Sequence, residues 1–402
     1  MRGLRMFLQV LASLKLTVVL FVLAMFLIFA GTLAQRVDGT FAVMDSFFRS
    51  FYTWVDFQLF VPETMLEVPG GFPFPGGFVI VGALLVNLIA AHSVRFKFTR
   101  RRAGILMTHA GLILLLASEL FTAALATEGN MTIYEGSSSQ FIERMRQYEL
   151  AVIDTSPKDH NDETVIPARI LREHLRADRG VISHPALPFD VRVHQWMENS
   201  ALVPARMASA NLADSGLGER FVARAQPTAA GASASQTIDA PSAYVTLTTE
   251  SETLGTYLVT TIDNASHTMP HHPQDVQVDG KTYKLDLRFE RAYKPYTLHL
   301  KDFQHEKFPG TDKPRAFKSK IRLVDPERNT DRQVLISMNN PLYYRGETFY
   351  QSAFKPDNSG TVLQVVNNPA WYLPYVACSL IALGLVVHFA ASLGRFLRRQ
   401  VA

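Results

Sequence analysis

The chain has 402 residues, 48% hydrophobic and 19% charged, too apolar a balance for one ordinary soluble domain of that size. It carries a net charge of +4 and a single cysteine, Cys378, which excludes an internal disulfide, a CxxC pair and a cysteine-built zinc site. Thiol redox chemistry by this chain alone is excluded with them.

The apolar residues gather in four stretches, roughly 14 to 33, 74 to 91, 105 to 126 and 372 to 393, each near the ~20 residues a membrane-spanning helix needs. The first reads as a retained span. Leu16 to Ala30 is uncharged, with Thr17 its one polar residue, and runs on through Gly31, Thr32 and Leu33, longer than the ~7 to 15 residues of a signal-peptide core. Basic residues cluster beside the stretches: Arg2, Arg5 and Lys15 at the start, Arg95, Lys97, Arg100, Arg101 and Arg102 between the second and third, and Arg395, Arg398 and Arg399 in the tail. No acidic residue accompanies them, so the positive-inside rule puts both termini and the short basic loop in the cytoplasm. Without these residues the rest of the chain is net negative, which argues against a nucleic-acid partner.

Residues 1–126 then form three spans with an aromatic extracytoplasmic loop at 34–73. In that loop Phe41 to Phe60 is dense in Phe, Tyr and Trp and is expected to lie on the outer membrane surface as an amphipathic helix. The following Pro69-Gly-Gly-Phe-Pro-Phe-Pro-Gly-Gly77 is expected to be a turn into the second span.

Residues 127–371 read as an extracytoplasmic β-rich domain. Phe189 to His194, Lys281 to Glu290, Tyr296 to Leu300 and Thr361 to Val366 alternate apolar and polar residues, the period of a half-buried strand. Asp279-Gly280, Pro309-Gly310, Asp325-Pro326 and Arg345-Gly346 supply turns between them. The expected fold is a four-span membrane α-helical bundle with an antiparallel sandwich or open barrel inserted between spans three and four. One helical patch, Ala168 to Ala177, interrupts the strands, and the Ala/Ser-rich stretch 205–243 reads as a mobile insertion. Residues 372–402 complete the chain as a fourth span and a basic cytoplasmic tail.

Ionisable groups inside spans are costly and mark function by default. Counted from the flanking arginines, His109 and His388 each lie about 10 Å inside the cytoplasmic boundary at 1.5 Å per residue. Asn87 shares that layer and His92 sits nearer the edge. Two neutral imidazoles at one depth on different helices suit the axial positions of a haem iron, with the apolar bundle packing the porphyrin. The alternative is that each imidazole hydrogen-bonds a neighbouring helix, with His92 reaching water. Glu119, ten residues beyond His109, suits a partner's basic group, a substrate or an interhelical hydrogen bond. Outside the membrane, His267, His271 and His272 fall in a proline-broken loop, while His299 and His305 flank a strand end. The weak metal signal there favours solvated positions. No Walker loop, GxSxG, HExxH or dinucleotide fingerprint is present.

The stretches His305-Glu-Lys-Phe-Pro-Gly-Thr311, Ile336-Ser-Met-Asn-Asn-Pro-Leu342, Gly346-Glu-Thr-Phe-Tyr-Gln-Ser352 and Val365-Val-Asn-Asn-Pro369 resemble the signature of the ResB family of cytochrome c biogenesis proteins. So does Gly104-Ile-Leu-Met-Thr-His-Ala-Gly111, which opens the third span. The resemblance implies an accessory subunit of the system II cytochrome c synthase in a bacterial inner membrane. That machinery moves haem b outward and attaches it to CxxCH motifs of apocytochrome c. It also implies a ResC-type partner carrying a tryptophan-rich haem-handling motif, since Trp54, Trp196 and Trp371 stand isolated here. Family practice places membrane histidines on the haem path, which carries over to His109 and His388. The segments from Phe303 to Thr311 and Ser337 to Ser352 become candidate interface surface. A scaffold that docks the partner and apocytochrome without ligating haem is the alternative.

Overall fold

The computed structural model describes residues 2–38, 40–61, 66–95, 99, 102–177, 180–228, 239–262, 273–308, 310, 314–355, 357 and 359–401. The histidines at 267, 271 and 272 fall outside that set. The helices are α1 (Arg2–Leu11), α2 (Leu14–Asp38), α3 (Thr40–Val43), α4 (Gly77–Arg95), α5 (Ala103–Leu125), α6 (Ala168–Ala177) and α7 (Leu373–Val401). Of these, α2, α4, α5 and α7 are long and apolar enough to cross a membrane, as the four stretches imply. Such segments become helices because hydrocarbon offers no partner for an unpaired backbone group. In chain order, the strands of a large antiparallel domain fall between α5 and α7. Contacts divide the chain into a helical unit, chiefly Met1–Thr127 and Asn368–Ala402, and a β unit, Glu128–Ala229 and Ile238–Asn367.

In the helical unit the loop after α2 is not the expected amphipathic helix. Beyond α3 and a single π turn, Tyr52–Asp56 pairs antiparallel with Gly71–Pro75. The expected turn is therefore mostly strand. Prolines are tolerated there because Pro73 and Pro75 alternate with Phe72 and Phe74: Phe57 N–H donates to Gly70 O and Gly76 N–H to Phe51 O, so in this register both prolines occupy sites that owe the partner no N–H. Phe72 and Phe74 pack on Phe26 of α2, with ring centroids 6.0 and 4.8 Å away. Trp54 and Tyr52 face outward.

In the β unit, ten strands form one sheet. Its main path runs Thr330–Ser337, Pro314–Asp325, Lys281–Lys307, Ser138–Asp154, Thr127–Tyr134, Gly360–Asn367, Glu347–Phe354 and Leu342–Tyr344. Ser337 bridges Asn340 across the ends of that path, giving a nearly closed barrel around Leu298, Leu300, Ile321, Leu323, Phe349 and Leu363. A second sheet of Asp190–Met197, Ser242–Thr248 and Thr253–Thr260 packs Val191, Val245 and Leu247 against Leu150, Leu285 and Leu287. Sandwich and barrel are therefore both present, and the two long strands, 138–154 and 281–307, serve both cores. Helix α6 spans the predicted patch and buries Leu171 in the sandwich core.

The described part of the Ala/Ser-rich stretch is tied down. Phe221–Ala225 pairs with Ser200–Pro204, Tyr244 Oη accepts from Ala223 N–H at 3.0 Å, and Gln274 Oε1 accepts from Leu217 N–H at 2.7 Å. Small residues without a period hid a short strand held by side chains distant in sequence.

Where the long strands shift register, between Phe289 and Glu290, the structure buries charge. Arg288 donates to Glu149 at 3.0 Å and to both oxygens of Glu163, whose Oε2 also accepts from Tyr293. Burial pushes the Glu149 carboxyl above its ordinary value even with Arg288 beside it. Burial also acts to raise Glu163, but the guanidinium and Tyr293 more than offset it and its value is lowered. Replacing Arg288 with Ala strands one buried and one half-buried carboxylate, so a loss of about 3–5 kcal/mol is expected. Denaturant unfolding followed by tryptophan fluorescence checks this, and adding Glu149→Gln should recover part of the loss.

On the barrel, burial acts to raise Asp325, but hydrogen bonds from Tyr344, Arg345 and the Arg328 N–H bring it below the ordinary carboxylate value. A depressed folded value stabilises at pH above the unfolded value, ~4, and that stability is lost as pH falls through the folded value. Acidification below about pH 4 should therefore lower the unfolding midpoint less steeply in Asp325→Asn than in wild type.

Candidate functional site

The membrane histidines are positioned by two different helix contacts. Helices α5 and α7 pack so closely that a Cβ added at Gly104 would stand 2.5 Å from His388 N and 2.6 Å from Gly384 O. One added at Gly111 would stand 2.8 Å from Ala377 O, and one at Gly384 2.6 Å from Thr108 N. Small residues at heptad spacing thus let two antiparallel backbones touch. That spacing was legible in the sequence as Gly104, Thr108, Gly111 and Ser118.

The same register fixes depth. His388 is level with Gly104, while His109 is level with the stretch between Ile381 and Gly384. His109 therefore sits about 7.5 Å further along α5 and about 140° around it from Gly104, at 1.5 Å and 100° per residue. Counting from the flanking arginines put His109 and His388 in one layer, but α7 runs on to Val401 and its arginines lie beyond the end of α5.

His109 instead turns toward α4. Its ring centroid lies 5.0 Å from that of His92, with the planes inclined by 59°. Both imidazoles are half-buried. His92 Nδ1 sits 2.9 Å from Leu88 O and His109 Nδ1 2.8 Å from Ile105 O. Because a carbonyl only accepts, Nδ1 is the donor in each ring. This is the tautomer of a metal-ligating histidine braced by the backbone. His388 is half-buried beside Phe389, with ring centroids 5.7 Å apart.

Asn87 has a different employment. Buried at 4% exposure, its Nδ2 donates to Leu11 O at 2.5 Å and Ser13 O at 3.2 Å, and its Oδ1 accepts from Thr17 Oγ1 at 2.7 Å. The amide thus closes the break between α1 and α2, a contact that depth within a span does not reveal. Glu119 is exposed on α5.

Chemically, an imidazole that donates through Nδ1 can ligate a metal through Nε2, and two such ligands suffice for an iron that brings its own four equatorial nitrogens. The protein is thus a bundle of apolar helices bearing paired histidines, joined in sequence to a two-core antiparallel β domain. Residues 255–362 match the ResB-like family. A segment of 117 residues, 28% of this chain, is 32% identical to Protein NrfI of Wolinella succinogenes, and the match spans only 13% of that protein's length. Over this segment the chain is similar to the ResB-like family, the one its C-terminal motifs resemble.

Replacing Asn87 with Leu leaves the carbonyls at the α1–α2 break without their donor and should cost about 1–3 kcal/mol. Thermal unfolding in detergent measures it. A haem spectrum altered by Asn87→Leu as much as by a histidine substitution would return this residue to the cofactor site.

Proposed function

We propose that the chain is a subunit of the system II cytochrome c synthase, helping to move haem b across the membrane and present it to exported apocytochrome c for thioether attachment. The ResB-like segment supports the broader part of this reading, a role in cytochrome c biogenesis. The observation that carries the finer part is the His92–His109 pair, two Nδ1-protonated imidazoles 5.0 Å apart between apolar helices. In this reading His109 and His92 would supply the axial ligands of the passing haem, their rings moving apart from 5.0 Å to admit the macrocycle between them. His388, on α7 at the level of Gly104, offers a further ligand nearer the cytoplasm.

The helices contribute orientation and exclusion of water. Backbone carbonyls lock the ring tautomers, and surrounding Leu, Ile and Val side chains shield iron from solvent and oxygen. Attachment itself then depends on bringing haem and apocytochrome thiols together, a gain from proximity. A ResC-type partner and the CxxCH-bearing apocytochrome are the expected companions. The chain resides in the inner membrane with both termini cytoplasmic and its β domain outside.

The test is the absorption spectrum of the detergent-purified chain, oxidised and reduced, with and without the partner. Wild type should show a six-coordinate b-type spectrum that is lost in His109→Ala with His92→Ala and weakened in His388→Ala. Haem that persists unchanged without these histidines, together with normal cytochrome c maturation, would leave the chain a docking scaffold.

A further inference from the structure

The ribbon formed by Tyr52–Asp56 and Gly71–Pro75 has two unlike faces. On one, Thr53 and Val55 are buried, and Phe72 and Phe74 pack on Phe26 of α2. On the other, Tyr52 and Trp54 stand across from Pro75 and Pro73, and these two rings are 75% and 57% exposed. The indole reaches back over Gly71, where an added Cβ would stand 2.5 Å from Trp54 Nε1. Pro73 and Pro75 also strip the ribbon's outer edge of the two N–H groups that this register would point away from the partner strand.

Helix register fixes the level of that face. Thr17 Oγ1 donates to Asn87, and ten residues on from Thr17 and back from Asn87 stand Leu27 and Gly77. The His92–His109 ring contact likewise sets Gly77 level with Ala124, each fifteen residues from its histidine. Asn368, ahead of α7, donates to Thr122 at 3.3 Å. Three spans therefore start or stop in one plane, to within about a turn, ~5 Å: α4 at Gly77, α5 at Leu125 and α7 at Leu373. From that plane α4 runs 19 residues to Arg95, ~28 Å, close to the ~30 Å of a hydrocarbon core. Phe26, on which the hairpin packs, lies in the same plane, and so do the exposed Trp371 and Tyr372, with Tyr375 a turn further in. The ribbon's surroundings run on into the spans: Phe60 stacks on the exposed Phe29 of α2 with ring centroids 6.2 Å apart, and Phe51 meets Phe78 of α4 at 5.8 Å.

We propose that the outward face of this hairpin is a lipid-binding plate, seated where phospholipid headgroups meet the acyl chains and continuing the belt of Trp371, Tyr372 and Tyr375. Tyrosine and tryptophan, apolar rings with one polar end, are the residues that a bilayer interface favours. A strand edge at that level must not offer bare donors to lipid, and the two prolines remove them. Lipid is the occupant because the face is continuous with the exposed flanks of α2 and α4, the surfaces that those spans give to the bilayer. Seated there, the plate holds α2 and α4 at a fixed depth. The inference needs only the membrane spans and stands or falls apart from the haem path.

Fluorescence quenching by brominated lipid tests this on the full chain in phosphatidylcholine vesicles. With Trp196→Phe and Trp371→Phe, Trp54 is the sole indole; with Trp54→Phe and Trp196→Phe, Trp371 is. Lipid brominated near the headgroup end of its chains should cut Trp54 emission to about half or less, and further than lipid brominated near the chain ends. Trp371 should show the same order, which establishes that the chain is inserted. Trp54 emission that neither lipid quenches, while Trp371 is quenched, overturns the proposal. Strong quenching by acrylamide would then put the hairpin in water, and weak quenching would put it under protein, a second copy or a partner. Stronger quenching from the chain ends than from the headgroup end overturns it as well. The difference between wild type and Trp54→Phe alone gives the same comparison without touching Trp196 or Trp371.

Discussion

Arg288 lies where two long strands change from one core to another, and the rest of the β unit depends on its being satisfied there. A strand serving both a sandwich and a barrel must turn its inner face between them, and the register shift after Phe289 makes that turn. The shift brings strand positions of both lobes to a place where neither core can cover them fully. Arg288 fills it with a guanidinium that has enough donors for Glu149 and Glu163 together, while Arg144–Glu290 and Arg291–Glu143 continue the ion pairs along the same two strands. A buried pair is a poor source of net stability, yet it is severe on alternatives, since any slip in register strands a charge. The arrangement fixes register more than it adds stability.

In the helical unit the corresponding constraint is steric. Gly104, Gly111 and Gly384 leave no room for a Cβ, so α5 and α7 are held at one separation and one register. That contact occupies one side of α5 and leaves His109 on the other, toward α4 and His92. Packing by small residues thus decides which imidazoles can meet.

Much of this was legible in the sequence. Four apolar runs and a period of two in Lys281 to Glu290 each report a local rule, either the solvent a segment meets or the alternation of a pleat. The motifs around His305 and Ile336 likewise pointed to the family. What escaped was set by contacts between distant residues. The loop after α2 became a hairpin because its prolines fell where no N–H is owed. Phe221–Ala225 became a strand because Ser200–Pro204 pairs with it and Tyr244 Oη reaches Ala223 N–H from afar. The shared depth of His109 and His388 failed because helix ends were judged from arginines, whereas the crossing of α5 and α7 was written in their glycines. Asn87 was found as a polar residue in a span, but its partners at Leu11, Ser13 and Thr17 lie 70 or more residues away.

A carrier differs from an enzyme in what its ligands must do. Cargo has to be held firmly enough to be drawn in and loosely enough to leave, which favours several modest sites over one tight cage. His92 and His109 stand on helices whose own carbonyls brace them, so each ring arrives oriented without a dedicated supporting residue. On the haem reading proposed above, iron held between two imidazoles has no open face, so delivery to a new histidine, that of a CxxCH motif, would require one of the two rings to let go.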